Sequence, residues 1–335
     1  MRALFAAAAL LLGIATAAQA GTLDEVKARG SLNCGVNPNL QGFGAKGPDG
    51  SYAGFDVDFC RAVAAATLGD PAKVTYVPLT AQERFDALKS GKVDVLARNT
   101  TWTMDRETSM PLRFAGVSYY DGQGFIVKKL LGVTSALQLS GASICFQTGT
   151  TTESNVEDFF HEKDMTFVPV RFEKLDDLVK AFDEGKCDTF TTDMSGLYAV
   201  RLRLKNPDDA FVLQDVISKE PLGPAVRQGD EQWLNIVRWT LNALINAEEL
   251  GVTSANVDEQ KAKSKNAAVQ RLLGVNGTAG ASMGLDADWA ARTIKAVGNY
   301  GEIFDRNLGP STPLAINRGI NALWNAGGLL YAPPM

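Results

Sequence analysis

Asn99 and Asp193 are the residues of this chain best placed to hold a ligand, because each follows a copy of the same stretch. Ala87-Leu-Lys-Ser-Gly91-Lys92-Val-Asp94-Val-Leu runs into Ala97-Arg-Asn99. From Ala181, 94 positions on, Ala181-Phe-Asp-Glu-Gly185-Lys186-Cys-Asp188-Thr-Phe runs into Thr191-Thr-Asp193. Each reads as the end of an amphipathic helix, a Gly stop, a Lys-x-Asp turn and a short apolar strand. A repeat at this distance implies two similar α/β lobes. Both residues then fall just past the carboxyl end of a strand, where open α/β sheets bind ligands. The chemistry on offer is binding in a cleft between lobes. Reaction chemistry finds less support. The single His, His161, lies outside these motifs and reads as a surface residue, so no Ser/His/Asp or Cys/His set exists. Paired carboxylates for glycan cleavage have no clear candidates. Gly122-x-Gly124 lacks the third glycine of a dinucleotide loop, and Gly149-Thr-Thr-Thr lacks the P-loop Lys. No C-x-x-C is present, and neither a metal nor a cofactor is expected.

The elements that must position these residues follow from local signals. Ser31 to Val36 reads as a first strand, Tyr52 to Leu68 as entry into a helix, and Lys73 to Pro78 as a second strand. Thr80-x-x-Glu83 is a capping box opening the helix that Gly91 ends. This β-α-β-α-β order predicts a right-handed, largely parallel sheet. The second lobe repeats it with a strand over Ser143 to Gln147, a helix from Thr151 to Phe160, a strand over Thr166 to Val170 and the repeat helix from Leu175. Tyr119 to Gly124 and Ser218 to Leu222 read as cross-connections, after which the first lobe resumes. Trp233, Ile236, Val237, Thr240, Leu241, Leu244 and Ile245 recur at helical spacing up to Gly251. Beyond Asp258 comes a Trp- and Gly-rich tail with an amphipathic helix near Asp288 to Val297. The tail should pack on the first lobe, since Trp289, Phe304, Leu323 and Trp324 call for burial; docking on a partner is the alternative.

The chain opens with Arg2, an apolar run from Ala3 to Ala18 and the cleavage site Ala18-Gln-Ala20, which reads as a signal peptide removed before Gly21. An uncleaved signal anchor is the alternative. No later segment reaches the roughly 18 apolar residues of a membrane helix. A net charge of −5, with 33 Lys and Arg against 38 Asp and Glu, gives no basic surface for nucleic acid. Four cysteines suit an oxidising compartment. Cys34 and Cys60 fall in the first lobe and Cys145 and Cys187 in the second, so one disulfide per lobe, Cys34–Cys60 and Cys145–Cys187, is expected. Four buried free thiols are the alternative.

Several motifs together carry a resemblance. Gly54-Phe-Asp-Val-Asp58, Leu88-Lys-Ser-Gly-Lys-Val-Asp94 and Asn99-Thr-Thr-Trp-Thr-Met-Asp-Arg106 are followed by Gln147-Thr-Gly-Thr150-Thr151 and Thr192-Asp193. They resemble the signature of periplasmic polar amino-acid-binding proteins of ABC transporters, the solute-binding proteins of family 3, from about Ser31 to Val257. Gly298-Asn-Tyr-Gly-Glu302 and Gly327-Gly-Leu-Leu-Tyr-Ala-Pro-Pro334 are similar to the tail of the general L-amino-acid receptors of that family. The resemblance implies a type II periplasmic-binding-protein fold of class α/β: lobe one over 21–118 and 223–257, hinge strands 119–123 and 218–222, lobe two over 124–217, and a C-terminal extension over 258–335. It implies a periplasmic receptor that closes on a free L-amino acid and delivers it to an inner-membrane permease and, indirectly, a cytoplasmic ATPase; a monomer is the default, because both lobes must move.

An α-amino acid asks for a bidentate cation and an anion. By resemblance, Arg106 grips the carboxylate with Thr101, Thr150 and Thr151, the last two at a helix start that favours an anion. Asp193 pairs with the ammonium and Asn99 adds a backbone carbonyl, while Leu40, Phe43 and Ala81 wall the side-chain pocket. Each has a blander reading: Arg106 as a solvated charge, Asp193, Thr150 and Thr151 as helix caps, Asn99 as a turn residue, Phe43 as core. Arg98 and Trp102 flank the site and are given no role. Ala81 and Leu40 stand where such receptors often place aromatics, and Asn37 where an acid is usual. The result is a roomier, less charged pocket, suited to broad selection. The rival readings are an exported dehydratase-like enzyme and a ligand-sensing module on the same scaffold.

Overall fold

The structure, a computed structural model, describes residues 21–335. The expected signal peptide over 1–20 lies outside them. Fourteen strands are described, in chain order β1 (Leu32–Val36), β2 (Ala45–Lys46), β3 (Tyr52–Ala53), β4 (Val74–Pro78), β5 (Val95–Leu96), β6 (Leu112–Phe114), β7 (Tyr119–Asp121), β8 (Gln123–Lys128), β9 (Ser143–Gln147), β10 (Val168–Phe172), β11 (Thr189–Asp193), β12 (Ala210–Val212), β13 (Glu220–Leu222) and β14 (Ala225–Arg227). They build two five-stranded sheets of matching order, β4-β1-β5-β14-β6 and β10-β9-β11-β8-β12. In each, three strands run parallel and the fourth is antiparallel to both its neighbours. The cause lies in the connection. β7 and β13 pair antiparallel as a two-stranded ribbon between the sheets, and the strand that leaves this ribbon, β8 or β14, inserts as the antiparallel member.

The two Lys-x-Asp turns do the same physical work. Asp94 accepts the backbone N–H of Asn33 at 2.7 Å, and its own N–H donates to Asn33 O at 2.8 Å. Asp188 does this with Ser143, at 2.8 and 2.9 Å. Each turn therefore pins the start of the first strand of its sheet, β1 or β9, and sets where the strand ends at the cleft. Two expected boundaries shift. The strand placed over Thr166 to Val170 is β10, two residues later, because its ladder with β9 pairs Val168 with Ser143 and Phe172 with Gln147. The following helix starts at Leu175 as expected, and the helix before β10 spans Thr152–Glu162. The Thr80–Glu83 capping box forms with both reciprocal bonds, Thr80 N–H to Glu83 Oε2 at 3.0 Å and Glu83 N–H to Thr80 Oγ1 at 3.3 Å.

Each half also carries a disulfide, Cys34–Cys60 and Cys145–Cys187, with Cα separations of 6.1 and 5.8 Å. The core of the first half continues into the C-terminal segment. Trp289, Tyr300 and Phe304 are fully buried with Phe43, Phe55 and Tyr119, and burying each large ring contributes on the order of 2 kcal/mol. Polar ties accompany them: Tyr300 OH donates to Ser118 O at 2.8 Å, and Arg306 pairs with the buried Asp58 at 2.7 Å. Trp324 departs from expectation. It is 50% exposed on a short turn, edge-on to the still more exposed Tyr331, while Leu323 beside it is buried. The second half keeps two separate cores, one on each side of its sheet. Among the described residues no helix is long and apolar enough to cross a membrane.

Candidate functional site

Where β5 ends, the chain turns sharply at Asn99, whose φ of 34° lies in the left-handed region that Asn tolerates better than most residues. Asp56 holds the bend by accepting the Asn99 N–H at 2.8 Å. Asp56 sits in the first turn of the helix Phe55–Leu68 and is buried. Burial pushes its carboxyl up to about 6, against the pull of that N–H and of Arg98. Gly54, just before it, has no alternative: a Cβ there would lie 2.2 Å from the Phe43 backbone. The Gly54-Phe-Asp56 motif is thus a clamp on the strand end that carries Asn99.

Three arginines of the first half converge here. Arg98 is buried; its Nε donates to Leu79 O at 2.9 Å, its one side-chain hydrogen bond among the described residues. Burial lowers it to about 10. Arg84, 2% exposed, makes only long contacts, Nη1 to Thr100 Oγ1 at 3.4 Å and Nη2 to Gly149 O at 3.3 Å, and its buried Nε has no partner. Burial first, then Arg98 and Arg106, drive its pKa down. Arg106, in the short helix Met104–Ser109, donates through Nη1 to Thr101 O at 2.8 Å and lies 5.3 Å from the Phe85 ring centre. None of the three forms a salt bridge among the described residues. Uncompensated guanidiniums this deep are costly unless an anion meets them.

The second half answers with a carboxylate. Asp193 ends β11 and is buried, yet its side chain does not cap the helix Met194–Arg201 that follows. Burial, then the nearby charges of Asp121 and Glu220, raise its pKa well above the usual carboxylate range; Arg84 and Arg106 act against them. Thr151 stands at the start of the helix Thr152–Glu162. Thr150 spends its hydroxyl on the turn, donating to Gln147 O at 2.7 Å and accepting the Thr152 N–H at 3.2 Å.

Beneath the cleft, the ribbon ties the halves together. Glu220 on β13 accepts from Thr101 Oγ1 at 2.6 Å and from Thr151 Oγ1 at 3.0 Å through the same oxygen, so one threonine from each half meets on one carboxylate. Ser218 Oγ and Asn155 Nδ2 satisfy its other oxygen. Asp121 on β7 is pushed up to about 6, chiefly by burial, while Ser195 and the Gly122 N–H hold it back.

A hollow of about 530 Å³ counting open solvent, with far less enclosed space, collects Leu40, Arg84, Arg98, Asn99, Thr101, Thr150, Thr151 and Asp193. Arg106 and Ala81 line the adjoining hollow, which shares Thr150 and Thr151 with it. Phe43 is not brought to the cleft; its ring packs edge-on against Phe55 and Tyr119 in the core of the first half, the blander of its two sequence readings. A larger hollow at the outer rim, about 1530 Å³ counting open solvent, has its Arg203 paired with Asp176 and its Arg306 with Asp58. With those charges already partnered it is the weaker candidate. Sequence reasoning missed Arg84, Asp121 and Glu220 and gave Arg98 no role. For Arg84 a signal existed: it shares a helical face with Ala87 and Leu88, at i+3 and i+4, and both are buried. Among the described residues no group of three or more His, Cys, Asp or Glu could hold a metal ion.

The site can hold a small molecule bearing both charges between two halves, and the comparisons agree in kind. The chain is 58% identical to the general L-amino acid-binding periplasmic protein AapJ of Rhizobium johnstonii, over all of this chain and 98% of that one. It is 55% identical to the glutamate/glutamine/aspartate/asparagine-binding protein BztA of Rhodobacter capsulatus, over 99% and 98%. A periplasmic binding protein of an ABC transporter from Brucella ovis, solved with glutathione bound, superposes with a TM-score of 0.92 at 58% identity, covering 94% of this chain and 99% of that one. The model of the bacterial extracellular solute-binding proteins, family 3, matches residues 32–255, and this chain belongs to that family.

Proposed function

We propose that this chain is the extracytoplasmic receptor of an ABC importer, which captures free L-amino acids of many kinds by closing its two lobes and hands them to the permease. One observation carries the reading. Asp193, a buried carboxylate without a salt bridge, faces the unpaired guanidiniums of the other half across one cleft. Arg106 takes the α-carboxylate, with Thr101 and the helix start at Thr150 and Thr151; Asp193 takes the ammonium, and the Asn99 carbonyl completes its shell. Leu40 and Ala81 leave the side-chain end roomy. Lobe one is 21–118 with 223–257, lobe two is 124–217, the hinge is 119–123 with 218–222, and the extension over 258–335 packs on lobe one. The ligand touches both lobes and stabilises the closed state by its higher affinity for it.

The names of AapJ and BztA as amino-acid-binding proteins support this reading. Glutathione ends in a free α-amino acid, so the Brucella protein is in keeping with a cleft that grips that end and tolerates the remainder of the molecule. The protein works in the periplasm as a monomer, its leader removed after Ala20, and docks on permease subunits served by a cytoplasmic ATPase. It binds without converting. The test is calorimetric titration of ligand-free protein with glutamate, glutamine, leucine, arginine and alanine in L and D forms, with product analysis afterwards. Several L forms bound and recovered unchanged support the proposal. Tight binding of one alone refutes broad selection, and a converted ligand refutes the receptor reading.

A further inference from the structure

We propose that the C-terminal segment is the brace of the hinge, with Asn321 and Tyr300 as positioning residues that set how readily the cleft closes on any ligand. This rests on the lobe-closure reading above and adds to it residues that touch no ligand. Two strands alone make a marginal ribbon, so what covers the outer edges of β7 and β13 matters. On the β7 edge, Tyr120 stands opposite Pro221, which has no N–H to give, and turns both of its own backbone groups outward. The buried Asn321 side chain takes both: it accepts the Tyr120 N–H at 2.7 Å and donates to Tyr120 O at 2.9 Å. Its amide acts as a third strand one residue long. Arg318 holds Asn321 in turn, donating to its backbone O at 3.0 Å while pairing with Glu248 at 3.0 Å. Just before Tyr120, Tyr300 OH donates to Ser118 O and the Phe304 ring stacks on Tyr119. On the β13 edge, Trp102 of the first half donates its N–H to Pro221 O at 2.8 Å.

These ties fix where the halves can swing. Tyr120 and Pro221 are bound to the first half and to the C-terminal segment packed on it. Beyond them the ribbon is bound to the second half. Gly122 O accepts the Met194 N–H at 2.7 Å, Asp121 accepts from Ser195, and Gln123 O accepts the Ile217 N–H at 2.8 Å. The swing is thereby confined to the Tyr120–Asp121 junction on one strand and to Lys219 and Glu220 on the other. Met194 and Ser195 directly follow Asp193, so the residues just past the brace carry the carboxylate of the cleft. No described residue of the C-terminal segment lines either hollow of the cleft. The brace therefore acts on the closing step and not on ligand choice. Freeing Tyr120 would give the open state backbone entropy that every ligand must reverse.

The test uses the full-length mature protein with Lys89→Cys and Lys180→Cys, exposed positions on opposite halves, as spin-label sites; the four native cysteines are paired in disulfides. Distances between the labels are measured with and without L-glutamate, and L-glutamate, L-glutamine, L-leucine and L-alanine are titrated by calorimetry. Asn321→Ala should broaden the ligand-free distances and weaken all four ligands by one common factor, roughly 5- to 30-fold. Tyr300→Phe, which deletes a hydroxyl and keeps the ring, should act in the same direction by a smaller factor. Val63→Ala, a truncation elsewhere in the core of the first half, should lower stability and leave distances and affinities at their wild-type values. Wild-type distances and affinities in folded Asn321→Ala would overturn the brace, and so would losses that differ between ligands or an equal effect of Val63→Ala. Should Asn321→Ala fail to fold, Tyr300→Phe decides by the same readouts. If L-glutamate binds wild type without shortening its label distance, it is the lobe-closure reading that has failed, and the brace falls with it.

Discussion

Two halves of one strand order meet at this cleft, and they bring opposite charges to it. In both, a Lys-x-Asp turn pins the first strand and a polar segment follows the third strand. The first half then delivers Arg84, Arg98 and Arg106; the second delivers Asp193 and a helix start. The shared parts are those that set where strands end, and the parts that differ are those a ligand would touch. The halves differ in support as well. The first shares its core with Trp289, Tyr300 and Phe304 of the C-terminal segment, whereas the second rests on its own two cores and its 42-residue disulfide loop.

The sharpest way to break the charge contrast is to neutralise its single carboxylate. Asp193→Asn should weaken every L-amino acid by roughly 100-fold or more in calorimetry, since it leaves the ligand ammonium unpaired in a buried site. Arg106→Ala should act similarly on all ligands, at roughly 10- to 100-fold. Losses confined to one ligand would break the idea of a common grip. The support contrast is tested next. Replacing Cys145 and Cys187 by Ala should cost about 4 kcal/mol in denaturant unfolding, and replacing Cys34 and Cys60 about 3.5 kcal/mol, in line with loop lengths of 42 and 26. An unaffected midpoint in either case would show that packing alone holds that half.

A smaller effect should appear with pH. Asp56 in the first half and Asp121 on the ribbon titrate at about 6 when folded, against an ordinary value of 3.8. Between those values the folded protein holds protons that the unfolded chain has lost, so stability of the ligand-free protein should fall as pH rises from about 4 to 6. The limit is ~1.4 kcal/mol per pH unit for each group. Urea midpoints across that range measure it, and a rise with pH would contradict the assignment. Smallest of all, Trp324→Ala should cost only about 1 kcal/mol, because the ring is half exposed and packs edge-on against Tyr331.

How far this could be read from the chain depended on whether the signal was local. Gly91 and Gly185 stops, the Lys-x-Asp turns and the Thr80–Glu83 capping box act within a few residues, and each appears where the sequence puts it. The antiparallel strands β8 and β14 were not legible, since their direction is set by the ribbon that feeds them rather than by their own residues. Glu220 was invisible for a like reason: it is one acid in a three-residue strand, and its partners Thr101 and Thr151 lie 119 and 69 positions away. Arg84 reads as a surface charge until its helical phase with Ala87 and Leu88 is counted. Phe43 could have been wall or core, and only the rings of Phe55 and Tyr119 decide it.

The central claim, that a zwitterion spans the two halves through Asp193, is tested most directly by comparing L-glutamate with glutarate on ligand-free wild-type protein. Glutarate keeps both carboxylates and lacks only the amino group. The account predicts that glutarate binds roughly 100-fold more weakly or not at all, because it leaves Asp193 facing an uncompensated anion. Glutarate bound as tightly as glutamate would contradict it, and would make the cleft a dicarboxylate site in which Asp193 plays no part in recognition.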